Sequence, residues 1–417
     1  MFNPLYRALK DKKNHLSFHT PGHNGGIVID SKLDITELSY SDNLLNAEGV
    51  IEESEREVAK AYGVQNILYS TAGATALIHT VVRALRNKGN FLLYGSQHKS
   101  VFNALRLSGV KASLYKGEDL SYALSRSKAK VVICTSPDYF GKVLPLQEVR
   151  DICNQYGAVL VVDASHGAHF AFSAKLPNSA TQYADLVIHS QHKVMPTLTG
   201  GATLAYANEY KKEVLRAFRE IHTTSPNYLT MLSIESAVKE CSERGEILYS
   251  QVIEEIEVFK KKCNGKPFSV VSTDDPTRLV IAVKEEGDRV AKALEDANLY
   301  PEMVYGNKIV FIVTPNNYMH LDYLFDTLDD IDYKGEGEGI IIPGSEEYLD
   351  LVLLAECEEI PLEEGAGRVA YQEVGLYPPG VPVVACGQKI TGEQIDFLIK
   401  HKSNVFGLEN GALVVVK

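Results

Sequence analysis

Ala158-Val159-Leu160-Val161-Val162-Asp163-Ala164-Ser165-His166 runs apolar without interruption and then breaks into polar residues. A run with no polar alternation fits a strand buried on both faces, as in a parallel sheet covered by helices. The signature recurs around it. Strand-like runs at Ile67 to Tyr69, Phe91 to Tyr94, Ala112 to Tyr115 and Val131 to Thr135 precede it, and Asp185 to His189 and Ala202 to Tyr206 follow. Helical patterns at Ala76 to Leu85, Val101 to Ser108, Leu120 to Ser127 and Leu146 to Tyr156 separate them. Such alternation predicts an α/β fold with a mostly parallel, seven-stranded sheet and helices on both faces.

An amphipathic helix from Val50 to Tyr62, stopped by Gly63, leads into this unit, and helical patterns between Glu209 and Lys262 lead out. Gly265-Lys266-Pro267 punctuates the chain. Beyond it, short strands such as Leu279 to Val283 and Ile309 to Val313 mix with amphipathic helices. The expected division is an N-terminal arm (1–35), a large domain with bridging helices (36–262) and a smaller α+β C-terminal domain (263–417).

With 417 residues, 45% of them hydrophobic, the chain can bury more than one core. A net charge of −12 without a basic tail or stripe argues against nucleic acid or an anionic membrane as partner. Six cysteines without Cys-x-x-Cys spacing predict a reducing, cytoplasmic setting and no metal site. Neither a signal segment within Met1 to His15 nor a run of membrane-spanning length is expected.

Chemistry enters where the strands end. Asp163 closes one apolar run, and Ser190-Gln191-His192-Lys193 follows the next. In open α/β sheets, ligands bind outside the carboxyl ends of the strands. A strand delivering an acid and a neighbour delivering a lysine meet the requirements for holding pyridoxal phosphate. The lysine amine bonds to the cofactor aldehyde, and the carboxylate keeps the pyridine nitrogen protonated, making the ring an electron sink. Either residue alone has an ordinary reading, as a surface charge or a turn former. Together at two strand ends, they point to the cofactor.

Other residues fit the same ligand. Small residues at Ala72-Gly73-Ala74-Thr75, opening a helix after the strand at 67–69, offer free N–H groups and a positive dipole end to a phosphate. Ser190 adds a hydroxyl. His98, just past another strand end, is placed to stack on the ring or, more plainly, to cap a helix. His166 is positioned to reach the phenolic oxygen. His192 either donates a proton to the substrate carbon or orients Lys193.

These residues resemble the fold-type I, pyridoxal phosphate-dependent ornithine/lysine/arginine decarboxylases. The likeness rests on Phe18-His19-Thr20-Pro21-Gly22-His23, Asp42 to Ile51, Ser136-Pro137-Asp138-Tyr139-Phe140-Gly141, Asp163 to His169, Ser190 to Lys193 and Thr224 to Tyr228. Gly367-Arg368-Val369 and Leu376-Tyr377-Pro378-Pro379-Gly380-Val381-Pro382 complete it, in the expected order. It implies an aminotransferase-like large domain, Lys193 as cofactor lysine, Asp163 as pyridine partner, His98 as stacking residue and Ser190 as phosphate ligand. It also implies a homodimer or larger assembly with active sites between subunits, the Pro-Gly-His arm near them, and a compact biosynthetic type without a long N-terminal regulatory domain. Asn24, Ala164, Gly200 and Asp138 depart from the family's usual residues, which bears on substrate rather than cofactor.

The expected reaction is decarboxylation of a basic amino acid, with a lean to arginine that rests on the resemblance. A cationic side-chain end calls for a carboxylate away from the ring. Asp42, Asp138 and Glu373 are the candidates, with His23 of the arm beside them. Two alternatives stand: an aminotransferase or Cα–Cβ lyase, for which Arg368 would pin the substrate carboxylate, and a non-catalytic scaffold.

Overall fold

The computed structural model describes residues 16–19, 23 and 34–417, apart from 336, 338, 341, 345, 378 and 379. Thr20, Pro21, Gly22, Pro378 and Pro379, all part of the family likeness, and Asn24, one of the departures from it, lie outside the described residues.

Among the described residues the first strand is β1 (Leu16–Phe18), and the first α-helix is α1 (Val50–Tyr62). Then the alternation read from sequence unfolds: β2 (Asn66–Ser70), α2 (Gly73–Leu85), β3 (Phe91–Tyr94), α3 (Lys99–Ser108), β4 (Ala112–Tyr115) and α4 (Leu120–Ser127). It continues through β5 (Val131–Thr135), α5 (Leu146–Tyr156), β6 (Val159–Asp163), β7 (Leu186–His189), a one-turn helix α6 (Gln191–Val194) and β8 (Ala202–Tyr206). The central strands β6, β7 and β8 are buried along their whole length. That is why their sequences show no polar alternation.

Among the described residues this sheet has eight strands, in the order β14-β4-β3-β5-β6-β7-β8-β2, rather than the expected seven. The extra strand, β14 (Tyr348–Asp350), comes from the C-terminal third and pairs antiparallel with β4. Three residues carry no readable periodicity. The pairing is secured by side chains instead: Ser113 Oγ donates to Asp350 Oδ1 (2.6 Å), and Tyr348 OH donates to Ser113 Oγ (3.0 Å). Strands β4, β3, β5, β6 and β7 are mutually parallel. Only β8, between β7 and β2, and the edge strand β14 run the other way.

Two helices follow the sheet, α7 (Lys211–Ile221) and α8 (Tyr228–Lys262). At 35 residues, α8 is about 50 Å long. Its first half packs Met231, Ile234 and Val238 into the large core, whereas Val252, Ile256 and Phe259 belong to a second core. That second core is built on an antiparallel sheet, β12-β13-β10-β9, of β9 (Phe268–Val271), β10 (Arg278–Val283), β12 (Met303–Tyr305) and β13 (Lys308–Ile312). Helices α9 (Gly287–Asp296) and α10 (Leu321–Asp329) cover it. The N-terminal strand β1 pairs in parallel with β11 (Leu299–Pro301), and Phe18 sits edge-on to Phe311 with centroids 5.7 Å apart. A third apolar cluster, including Val374, Val384, Leu398 and Val415, lies further along. A smaller cluster of Val280, Met303 and Val310 lies on the same antiparallel sheet, so among the described residues the stretch read as one α+β unit contributes to more than one core.

Helix α1 buries a carboxyl. Glu55 is 8% exposed, and its Oε1 accepts the Tyr69 N–H at 2.8 Å. Burial pushes its pKa up to about 8 from 4.5. An unfolded chain loses this proton near pH 4.5 while the folded chain keeps it, so the group subtracts stability as pH rises between those values. Glu55→Gln keeps the acceptor and removes the titration. It should be near neutral below pH 4.5 and gain thermal stability progressively up to pH 8. The full gain is on the order of 5 kcal/mol. A melting-midpoint difference that stays flat across that range would contradict a neutral buried carboxyl.

Candidate active site

Five strand ends share one rim. The parallel register sets Thr135 opposite Asp163 and Asp163 opposite Ile188, so the segments after β5, β6 and β7 emerge side by side. Those after β2 and β3 join them. At this rim lies a cavity of about 430 Å³, within the usual range of small-molecule sites. Its wall includes Gly73, Ala74, Thr75, His98, Asp138, Asp163, His166, Ser190, His192 and Lys193. Glu302, Tyr305 and Tyr377, from beyond α8, also line it.

Lys193 projects from α6, one helical turn past β7. Its Nζ lies 3.0 Å from His166 Nε2 and 5.2 Å from the Tyr139 ring centre. Burial lowers its pKa, Asp163 and Glu302 oppose this, and Arg278 adds to the lowering. The balance favours the neutral amine relative to an ordinary lysine. Asp163, 3% exposed, accepts both the Ser165 N–H (3.1 Å) and the Ser165 hydroxyl (2.5 Å) at Oδ1. Oδ2 is thus the oxygen left for a ring N–H.

His98 answers its plainer reading, as a helix cap of α3, with Nδ1 accepting the Ser100 N–H at 3.3 Å, and also lines the cavity. Burial, helped by Lys193 and Lys99 and opposed by Asp163, brings its pKa down to about 4, so the ring is neutral at physiological pH. Gly380 presses close: a Cβ there would lie 3.3 Å from two atoms of the His98 ring. His192 departs from its expected part as proton donor. Its Nδ1 donates to the Gly201 carbonyl at 3.1 Å, so the neutral ring has a bare Nε2. Burial, with Lys193, lowers its pKa despite the Gly201 bond, which disfavours the doubly protonated form a donor would need.

The anion end is narrower than the sequence implied. Ala72 is not on the cavity wall, and its N–H goes to Ser70 Oγ (3.1 Å). The Gly73 N–H goes to the Gly200 carbonyl (2.8 Å). The first-turn donors of α2 remaining on the wall are those of Ala74 and Thr75, with the hydroxyls of Thr75 and Ser190 beside them. Gly200 explains its own departure from the family's usual residue. Its φ is +91°, and a Cβ would lie 2.9 Å from the Thr71 carbonyl oxygen. Gly200→Ala should displace the 71–73 turn and weaken cofactor binding about 10- to 100-fold. Absorbance titration of the cofactor measures it, and an unchanged affinity would refute this account of the turn.

Three proposed substrate residues fall elsewhere. Asp42, at φ +66°, accepts N–H bonds from Asn43, Glu48, Gly49 and Ile51 at 2.8 to 3.2 Å. It supplies the side-chain cap that Gly49 cannot give α1. Although burial opposes ionisation, these bonds hold its carboxyl below the usual range. Glu373 is 5% exposed and pairs with Arg106 at 3.1 Å, outside the cavity wall. His23 is half-buried, and its carbonyl accepts from Asn316 Nδ2 (3.2 Å), also outside the wall. Arg368 pairs with Glu358, again away from the cavity. Asp138 does line it. Its Oδ1 accepts the Phe140 and Lys142 N–H groups at 2.9 Å, and burial pushes its pKa up.

Glu302, Tyr139 and Arg278 were not picked out by sequence. Glu302 precedes β12 by one residue, and Arg278 opens β10, so each is a lone charge at a short strand's edge. The motif Ser136 to Gly141 did contain Tyr139, whose ring lies 4.4 Å from that of His166.

Comparison with known sequences identifies the architecture. The description "Orn/Lys/Arg decarboxylase, major domain" matches residues 3–126 and 118–277, and the corresponding C-terminal domain matches 345–405. The chain belongs to the Orn/Lys/Arg decarboxylase family. An arginine decarboxylase of Bacillus anthracis is 27% identical over 95% of this chain and 92% of its own length. A Bacillus subtilis protein, YaaO, is 27% identical over 98% and 96%. Among solved structures, lysine decarboxylase A of Pseudomonas aeruginosa superposes with a TM-score of 0.74 at 14% identity, covering 99% of this chain and 80% of that one. The constitutive lysine decarboxylase of E. coli gives 0.73 at 16%, over 93% and 75%. This decarboxylase therefore has the fold-type I architecture and uses pyridoxal phosphate. The wall suits that group: an amine with lowered pKa, a carboxylate beside it and free N–H groups at a helix start. No described helix is long and apolar enough to cross a membrane.

Proposed function

We propose that this pyridoxal phosphate-dependent decarboxylase acts on arginine, releasing carbon dioxide and the corresponding amine, a polyamine precursor. The observation that carries the reading is the placing of Glu302 on the same cavity wall as Lys193 and Asp163. A carboxylate on this wall gives a cationic side-chain end its partner, and a carboxylate can take a guanidinium in two parallel hydrogen bonds. Relatives named arginine decarboxylase support the choice among basic substrates.

When bound, the cofactor supplies the electron sink for the pair released from the Cα–carboxylate bond. The protein's residues do the rest. Lys193 would hold the cofactor and, as a neutral amine, give way to the substrate amine. Asp163 Oδ2 would keep a proton on the ring nitrogen. Ala74, Thr75 and Ser190 would bind the phosphate, and His98 would pack against the ring. Lys193, protonated from solvent once released, would carry to the substrate carbon the one proton that the reaction consumes. An aminotransferase would need a cation to retain the carboxylate, and Arg368, on which that reading rested, is engaged with Glu358.

The reading includes assembly into a homodimer or larger homo-oligomer in the cytoplasm. Incubating the cofactor-loaded protein with arginine, lysine and ornithine separately, and identifying the amine, tests the substrate. Arginine should give the fastest turnover. Preferential lysine or ornithine turnover would overturn the specificity, and keto-acid formation would overturn the reaction.

A further inference from the structure

Arg278 is 2% exposed and sits behind the cavity wall. Its Nη2 lies 3.2 Å from His166 Nδ1, and the other nitrogen of that ring, Nε2, lies 3.0 Å from Lys193 Nζ. A guanidinium has only donors, so Nδ1 must accept. A proton on Nδ1 would point N–H at N–H. The buried neutral imidazole therefore carries its proton on Nε2, facing the lysine nitrogen. An ammonium there would again set donor against donor, whereas a neutral amine offers a lone pair.

We propose that Arg278 is a positioning residue: it fixes the His166 tautomer with the proton on Nε2, so that the imidazole presents a donor to the Lys193 nitrogen and holds it as the free amine. The same N–H serves a phenolic oxygen once cofactor is bound.

The surroundings hold this arrangement in place. Tyr139 packs against the His166 ring at 4.4 Å, blocking a flip. The backbone of Arg278 is pinned from below: its N–H donates to the Asp275 carbonyl (3.1 Å), and Asp274 and Asp275 both donate to the Gly141 carbonyl (3.1 and 2.9 Å). Gly141, at φ +82°, lets the chain pass there, since a Cβ would lie 2.9 Å from Arg278 Cβ. The Ser136 to Gly141 motif thus braces Arg278 as well as lining the cavity. Charged and titratable groups around Lys193 pull both ways. Asp163 and Glu302 favour the ammonium, and Arg278 opposes it. His98 and His192, both with lowered pKa, add no fixed positive charge. Burial first, with the Arg278 charge beside it, keeps His166 from becoming doubly protonated.

The test uses the full-length protein without cofactor, labelled with ¹⁵N-histidine. In the parent, His166 should show a bare Nδ1 and a protonated Nε2. Arg278→Met should mix the two tautomers. It should also raise the pH midpoint for acylation of Lys193, read by peptide mass spectrometry, by about one unit or more. Arg278→Lys, which keeps a donor, should retain the parent tautomer and most of the midpoint. A parent His166 protonated on Nδ1 or on both nitrogens overturns the proposal even if Arg278→Met fails to fold. So does an Arg278→Met protein with an unchanged tautomer. The role of Lys193 rests on the proposed function and is checked separately by borohydride trapping of the holoenzyme. A failure of either reading is therefore visible without the other.

Discussion

Lys193→Ala should abolish turnover, lowering kcat by about 10³–10⁴-fold or more, and should remove the adduct that borohydride fixes between protein and cofactor. The size of the effect follows from the cavity. Among the described residues on its wall Lys193 is the only lysine, so no second amine stands within reach to take its place. Lys99, the nearest in sequence to the site histidine, is turned toward the rings of Tyr377 and Phe406, at 5.5 and 5.6 Å. Since Lys193 holds the cofactor and moves the proton, its loss removes two functions at once. A small added amine should restore part of the rate, because the cavity freed by the truncation can admit it. The measurement is carbon dioxide release, with peptide mapping of the reduced protein. An adduct at another lysine would refute the assignment.

Glu302→Gln should lower kcat/KM for a basic substrate about 30- to 1,000-fold, the loss expected when one partner of a desolvated charge pair is removed. Most of the change should appear in KM, since the distal cation is bound alike before and during bond cleavage. A neutral substrate analogue of similar length should be affected little. Equal losses for charged and neutral analogues would show that the substitution disturbs the cavity generally, and Asp138 would then be the wall acid left to test, Asp163 being assigned to the ring nitrogen.

Much of this arrangement was legible in the sequence because the parallel strands are buried on both faces. Val159 to Val162 could be read as a strand from apolar residues alone, and Asp163 stood out because it ended that run. Lys193 stood out for the same reason after Leu186 to His189. The method fails where charge appears without its surroundings. Asp42 and Asp138 look alike in sequence, yet four backbone N–H groups consume Asp42 in a helix cap while Asp138 faces the cavity. Glu373 gave no hint that Arg106, far away in the chain, would claim it. Glu302 and Arg278 lie at the edges of short strands in the second core, where no periodicity marks a lone charged residue. Their importance comes only from the packing of that core against the sheet rim. His98 shows that two readings of a residue need not exclude each other, since a ring nitrogen caps a helix while the residue also lines the cavity.

Helix α8 is shared by two cores, and this bears on how a substrate is measured. Lys193 and Asp163 are anchored to one body, and Glu302 and Arg278 to the other. A bound amino acid would be grasped at its reactive end by the first and at its charged tip by the second. The gap between the grips is set by the seating of two solids against each other, as in the jaws of a caliper. Side chains buried along that seam, remote from any reacting atom, therefore tune which homologue fits, while the reaction chemistry stays as it is.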